Sequence, residues 1–192
     1  RSIGYVRLWS GVHPDSAKAI WRAVEIFKAA NVDGVIYDLR GGYGGAFWEH
    51  LDPFFADRKD FFVFSATDGE NKTTVSRPET KTNAGAYLGP MAVLINEGTR
   101  SGKEAVAYQF KKSKRAPLIG TTTAGYFSGG GMYFLDKPAD YMLYICVMRD
   151  STLDGQQIEG IGIRPDLAVP FDTYNPLQDS QLEAALEELT GF

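Results

Sequence analysis

Ser101 lies where the apolar run Met91 to Ile95 has ended and the turn residues Asn96 to Arg100 give way to helical spacing, with Val106 set against Phe110 and Ala105 against Tyr108. A serine at a strand-to-helix junction has two uses. The first N–H groups of a helix have no internal partner and carry partial positive charge, so an oxyanion formed beside Ser101 would meet ready donors. Serine is also a favoured helix cap, and on this segment alone the cap is the default reading. Earlier in the chain, DLRGGYGG (residues 38 to 45) places four glycines behind an apolar run. Glycine is needed where the backbone takes positive φ or where another group approaches closely, as in a loop that aims N–H groups at a substrate oxygen; a tight turn needs it too.

Other chemistry-bearing residues have simpler readings. Glu104, three positions after Ser101, shares its helix face and suits a capping box or the helix dipole. Lys103, two positions on, is expected to face away from Ser101 at the surface. His50 follows the glycine loop by about one turn and could approach a site there, whereas His13, before Pro14, reads as a turn residue. Two separated histidines and no cysteine pair give no metal-ligand spacing. Cys146 is the only cysteine, which excludes an internal disulfide, and its place in YMLYICVM predicts a buried thiol. Neither GxxxxGK[ST] nor GxGxxG is present, so no nucleotide cofactor is expected.

These residues need a scaffold, and the chain supplies one. Its 192 residues, 44% hydrophobic and 13% aromatic, suit a single domain over 1–192 with a sizeable core. A net charge of −4 offers no electrostatic case for nucleic acid or an anionic membrane surface. The basic run Lys111 to Arg115 fits a helix C-terminal turn, and no apolar run reaches the roughly 18 residues of a membrane span. The start, RSIGYVRLW, goes directly into strand-like alternation, which reads as part of a longer protein.

Strands are predicted at Ile3 to Trp9, Val35 to Leu39, Phe61 to Ser65, Thr73 to Ser76, Met91 to Ile95, Pro117 to Ile119, Gly131 to Leu135 and Tyr141 to Met148. The last two would form a hairpin through Lys137, Pro138 and Ala139. Helices are predicted from Asp15 to Asn31, with Ala17, Ile20, Val24 and Phe27 on the apolar face, after Ser101, and over Leu182 to Leu189; AFWEHLDPFFA also looks helical. EGIGIRPDLAVP is an extended segment broken by proline. The alternation describes an α/β domain with helices packed on a twisted sheet.

In this order DLRGGYGG, NEGTRSGKE, APLIGTTTAG and IEGIGIRPDLAV resemble the DLRxNxGG, nucleophile-serine, T-x-G-turn and GxGVxPD segments of the C-terminal processing, or tail-specific, S41 serine peptidases. The resemblance implies a ClpP/crotonase-like spiral of ββα units with a mainly parallel sheet flanked by helices. It implies hydrolysis of unstructured polypeptides, with Ser101 as nucleophile and an oxyanion hole from the N–H of Gly102 and of Gly44 or Gly45. Processing peptidases carry a lysine base after the T-x-G glycine, where this chain has Tyr126, and an acidic residue late in the serine helix, where it has Lys112. The chain is similar in this to the tricorn-like and retinoid-binding-protein-like branch, whose T-A-G turn matches Thr123 to Gly125. That likeness implies a base histidine N-terminal to Arg1, Glu159 as the residue orienting it, and an upstream domain such as one of the PDZ type. The family further implies an extracytoplasmic address. A catalytically impaired peptide- or ligand-binding scaffold, and crotonase-type acyl-CoA chemistry, stay open beside the peptidase.

Overall fold

The computed structural model describes residues 1–57, 63–67, 73–76, 83–135, 141–152, 154–171, 175 and 177–191. β1 (Ile3–Arg7), α1 (Ser16–Ala29) and β2 (Gly34–Asp38) open the chain, followed by single 3-10 turns at Trp48–His50 and Asp52–Phe54. Next come β3 (Val63–Thr67), β4 (Thr73–Ser76), β5 (Met91–Ile95), α2 (Gly102–Lys112) and β6 (Leu118–Gly120). β7 (Gly130–Phe134), β8 (Met142–Cys146), β9 (Met148–Ser151), β10 (Leu167–Ala168) and α3 (Ser180–Thr190) complete it.

A five-stranded sheet runs in the order β1-β2-β5-β6-β10 with every pair parallel. Both faces are covered, which is why β2 and β5 are buried throughout instead of alternating. The period of two still sorts their side chains. Val35, Tyr37, Leu39, Val93 and Ile95 pack with Ile20 and Val24 of α1 and with Ala105, Val106 and Phe110 of α2. Ile36, Ala92, Leu94 and Ile119 face the other way, onto Ala185, Leu182 and Leu189 of α3. Each large side chain so buried stabilises the fold by about 1.5–3 kcal/mol. The result is the mainly parallel α/β sheet flanked by helices that the sequence implies.

Three expectations are corrected. The AFWEHLDPFFA stretch forms two 3-10 turns instead of one α-helix, because Pro53 near the start of the second turn cannot donate a backbone hydrogen bond. The predicted strand Tyr141 to Met148 divides between two sheets: β8 pairs with β7 and β9 pairs with β3. The division falls at Val147 and Met148, whose N–H groups both donate to the Gly129 carbonyl, at 3.1 and 3.0 Å. Cys146 is exposed, not buried. It lies on the β7–β8 ribbon, which no other strand joins among the described residues and whose β8 residues are all exposed. The hairpin turn through Lys137, Pro138 and Ala139 and the strand residues Phe61 and Phe62 lie outside the described residues.

Asp38 and Arg40 of DLRGGYGG are structural. Arg40 binds both carboxylate oxygens of Asp38 (3.0 and 2.8 Å) and both of Asp179 (2.7 and 2.8 Å), and reaches Gln181 at 3.2 Å. Asp179 in turn caps α3 by accepting from the Leu182 N–H at 3.0 Å. One guanidinium thus joins the start of the glycine loop to the last helix. Its charge state is secure, since burial is outweighed by two hydrogen-bonded carboxylates that raise its pKa further.

Candidate functional site

The parallel strand β5 delivers Ser101 to the N-terminus of α2 through a turn closed by the Thr99 N–H to the Asn96 carbonyl at 2.8 Å. The turn leaves Ser101 at φ 54° and ψ −132°, outside the regions open to L-residues without strain. Its N–H is held twice, by the Tyr126 carbonyl at 2.8 Å and by Glu104 Oε2 at 3.1 Å. Glu104 N–H goes to the Ser101 carbonyl at 2.8 Å, and the serine hydroxyl makes no capping bond. Ser101 occupies the cap position, yet its Oγ makes no hydrogen bond among the described residues.

The glycine loop passes close beside it. A Cβ on Gly44 would stand 2.5 Å from the Ser101 Cβ, and one on Gly102 would stand 2.0 Å from the Ala46 carbonyl oxygen, so only glycine permits this approach. Gly45, Ala46, Ser101 and Gly102 line a cleft of about 470 Å³, walled by Phe47, Trp48, Ala105, Phe127, Tyr144 and Met148 with Asp150 among them. Among the described residues the N–H groups of Gly45 and Gly102 carry no hydrogen bond. Two unbonded N–H groups and an unbonded hydroxyl thus belong to residues that line one largely apolar cleft, the kinds of group that stabilising a developing oxyanion calls for. Gly44 contributes through its contact with Ser101 and does not line the cleft.

Glu104 fastens this geometry from beneath. It is fully buried, and its Oε1 accepts from Thr123 Oγ1 (2.6 Å) and Gly125 N–H (2.7 Å) while Oε2 accepts from Ser101 N–H. The Thr123 hydroxyl itself accepts from Ile163 N–H at 2.7 Å. Burial pushes the Glu104 carboxyl up, against the pull of these donors. The TTTAG turn, the nucleophile position and the IGIRPD segment therefore meet on one carboxylate.

Glu159 holds the next residues of that turn: its Oε2 accepts from Phe127 N–H (2.8 Å) and Ser128 N–H (2.7 Å). Burial would raise this carboxyl, but the two N–H groups prevail and hold it below the ordinary value. Tyr126 lends Ser101 its carbonyl only; its ring is exposed and lies 6.0 Å from the Arg100 guanidinium. His50 is drawn away from the cleft. Its Nδ1 accepts from Phe47 N–H at 3.1 Å, which places the ring proton on Nε2, 2.9 Å from Ser16 Oγ. Burial keeps its pKa low. The structure thus brings Ser101, Gly45, Gly102 and Glu104 together, with Glu159 bracing the adjacent wall, and leaves the His50 ring and the Tyr126 phenol out.

Lys103 overturns the expectation of a surface lysine. It does point away from Ser101, but into the protein, where it is fully buried with its ammonium against the carbonyls of Gly41 and Trp9. It props the glycine loop. Burial lowers its pKa to about 8, opposed by the charge of Asp38. The unfolded value is 10.5, so below pH 8 the folded protein carries the full cost of a buried charge, and that cost falls as pH rises from 8 to 10.5. The stability difference between wild type and Lys103→Met should move by roughly 3 kcal/mol in favour of wild type across that window. Urea unfolding of both proteins at pH 7 and pH 10.5 checks it, and a constant difference would refute the low pKa.

A family model described as peptidase family S41 matches residues 2–169. The chain is 27% identical over 179 residues to the carboxyl-terminal-processing peptidase 2, chloroplastic, of Arabidopsis thaliana, covering 88% of this chain and 32% of that protein. Its fold is similar to that of the photosystem II D1 C-terminal processing protease, with a TM-score of 0.67, 25% identity, and coverage of 88% of this chain and 42% of the other. It is similar in fold to the tricorn protease, with a TM-score of 0.69 at 22% identity, covering 98% of this chain and 17% of that one. The chain spans less than half the length of each of these proteins.

Proposed function

We propose, from the premise that the chain belongs to peptidase family S41, that it hydrolyses peptide bonds in unstructured polypeptides. Ser101 Oγ attacks the scissile carbonyl, whose oxygen is received by the N–H groups of Gly102 and Gly45. The C–N bond then breaks, the amine leaves with a proton, and water releases the acyl group from Ser101. The observation that carries this reading is the unbonded hydroxyl of a strained serine opening, with two free N–H donors, on one cleft. Among the described residues lining that cleft there is neither a lysine nor a histidine. The proton acceptor is therefore taken to be supplied from elsewhere, as in the tricorn-like branch, with Glu159 bracing the wall it would approach. An extracytoplasmic address belongs to the same reading and rests on family resemblance.

A fluorophosphonate probe tests the nucleophile directly. The full-length protein is expected to be labelled on Ser101, with labelling lost in Ser101→Ala. A folded protein that resists the probe would contradict the peptidase reading and favour a binding scaffold.

A further inference from the structure

We infer that the cleft beside Ser101 is a side-chain pocket for a cationic residue, lysine or arginine, flanking the scissile bond, with Asp150 as the group that selects it. The inference rests on the peptidase reading for the bond's position and on Asp150 for the selection.

Asp150 lines the same cleft as Ser101 and is 3% exposed. Its Oδ2 accepts from Gly129 N–H at 2.9 Å, and its Oδ1 is buried without a hydrogen-bond partner among the described residues. Buried carboxylate oxygens are normally satisfied, so an orphan on a residue that lines a ligand-sized cleft marks a donor that is absent until something enters. No lysine, arginine or histidine lines the cleft among its described residues, which makes Asp150 its only charged side chain. Burial raises the carboxyl; Gly129 N–H opposes this and the charge of Glu159 adds to it. That is the state of a carboxylate lacking a counter-ion.

The walls suit such a guest. Phe47, Trp48, Phe127 and Met148 offer apolar contact to an alkyl stem, and aromatic faces attract an ammonium or guanidinium on its way to the carboxylate. An acidic guest would meet the like charge of Asp150. A purely apolar guest would fill the walls and leave Oδ1 unpaired.

Two measurements separate this inference from the reading it rests on. Short fluorogenic peptides that differ only in lysine, norleucine or glutamate before the scissile bond are compared by kcat/KM with the full chain. The same peptides are titrated calorimetrically into Ser101→Ala, where affinity is read without chemistry. Lysine is expected to exceed norleucine by about 10-fold in both, with glutamate last. Asp150→Asn should bring lysine and norleucine within about 2-fold of each other. Norleucine equal to or better than lysine in the unmodified cleft overturns the inference, as does a lysine preference that survives in Asp150→Asn. If the fluorophosphonate fails to label Ser101 yet lysine peptides bind Ser101→Ala preferentially, the peptidase reading falls and the cationic pocket stands.

Discussion

Ser101→Gly should abolish turnover and at the same time make the protein more stable, by about 1 kcal/mol. The two effects share one cause. At φ 54° and ψ −132° a Cβ clashes with its own backbone, a strain worth about 1–3 kcal/mol that glycine relieves. Against this stands the extra chain entropy of glycine in the unfolded state, about 1 kcal/mol or less. Loss of the hydroxyl removes the nucleophile, and turnover should fall by at least about 10⁴-fold. Ser101→Ala is the control: it loses turnover equally and keeps the strained Cβ, so it gains no stability. Peptide hydrolysis paired with urea midpoints for the three proteins reads both effects. Equal stability of the glycine and alanine variants would show that the turn stores no strain.

Glu104→Gln should cost about 2–4 kcal/mol of stability and slow the labelling of Ser101, although it touches no substrate. Among the described residues, every hydrogen bond of the carboxylate is with a donor: the N–H groups of Ser101 and Gly125, and the Thr123 hydroxyl, which also accepts from Ile163 N–H. A glutamine has one oxygen, so its NH₂ must face a fixed N–H in a fully buried site. The Ser101 N–H or the TTTAG turn has to move. Chemical denaturation gives the first effect and the rate of fluorophosphonate labelling the second. A variant with native stability would mean that the turn and the serine helix are held together by other contacts.

Much of this arrangement was legible in the sequence where local chemistry and tertiary use agree. β2, β5 and α1 follow from apolar runs and helical spacing, and the proximity of DLRGGYGG to Ser101 follows from family resemblance. What was hidden depends on neighbours distant in sequence. Helical spacing says that Lys103 points away from Ser101, but only the packing of the glycine loop across α2 decides that this direction is inward. The apolar run YMLYICVM looks like a core strand, and Cys146 like a core thiol, because apolarity reports what can be buried and not whether another layer is there to bury it. Asp150 carries no local signal. Its significance comes from β9 placing it against the turn that follows TTTAG, and a strand's sheet is a tertiary fact.

The Arg40 clasp has a consequence for the order in which the molecule is made. Arg40 leaves the ribosome 139 residues before Asp179, the carboxylate that completes the pairing, and chains emerge N-terminus first. Until α3 is synthesised and docks, the guanidinium lacks two of its acceptors, and the glycine loop that begins at the next residue has no tie to the far face of the sheet. Contacts so distant along the chain form late because their loop-closure entropy must be met first. A nascent chain can therefore display Ser101 well before the cradle around it is locked, and maturation of the site is timed by the last helix.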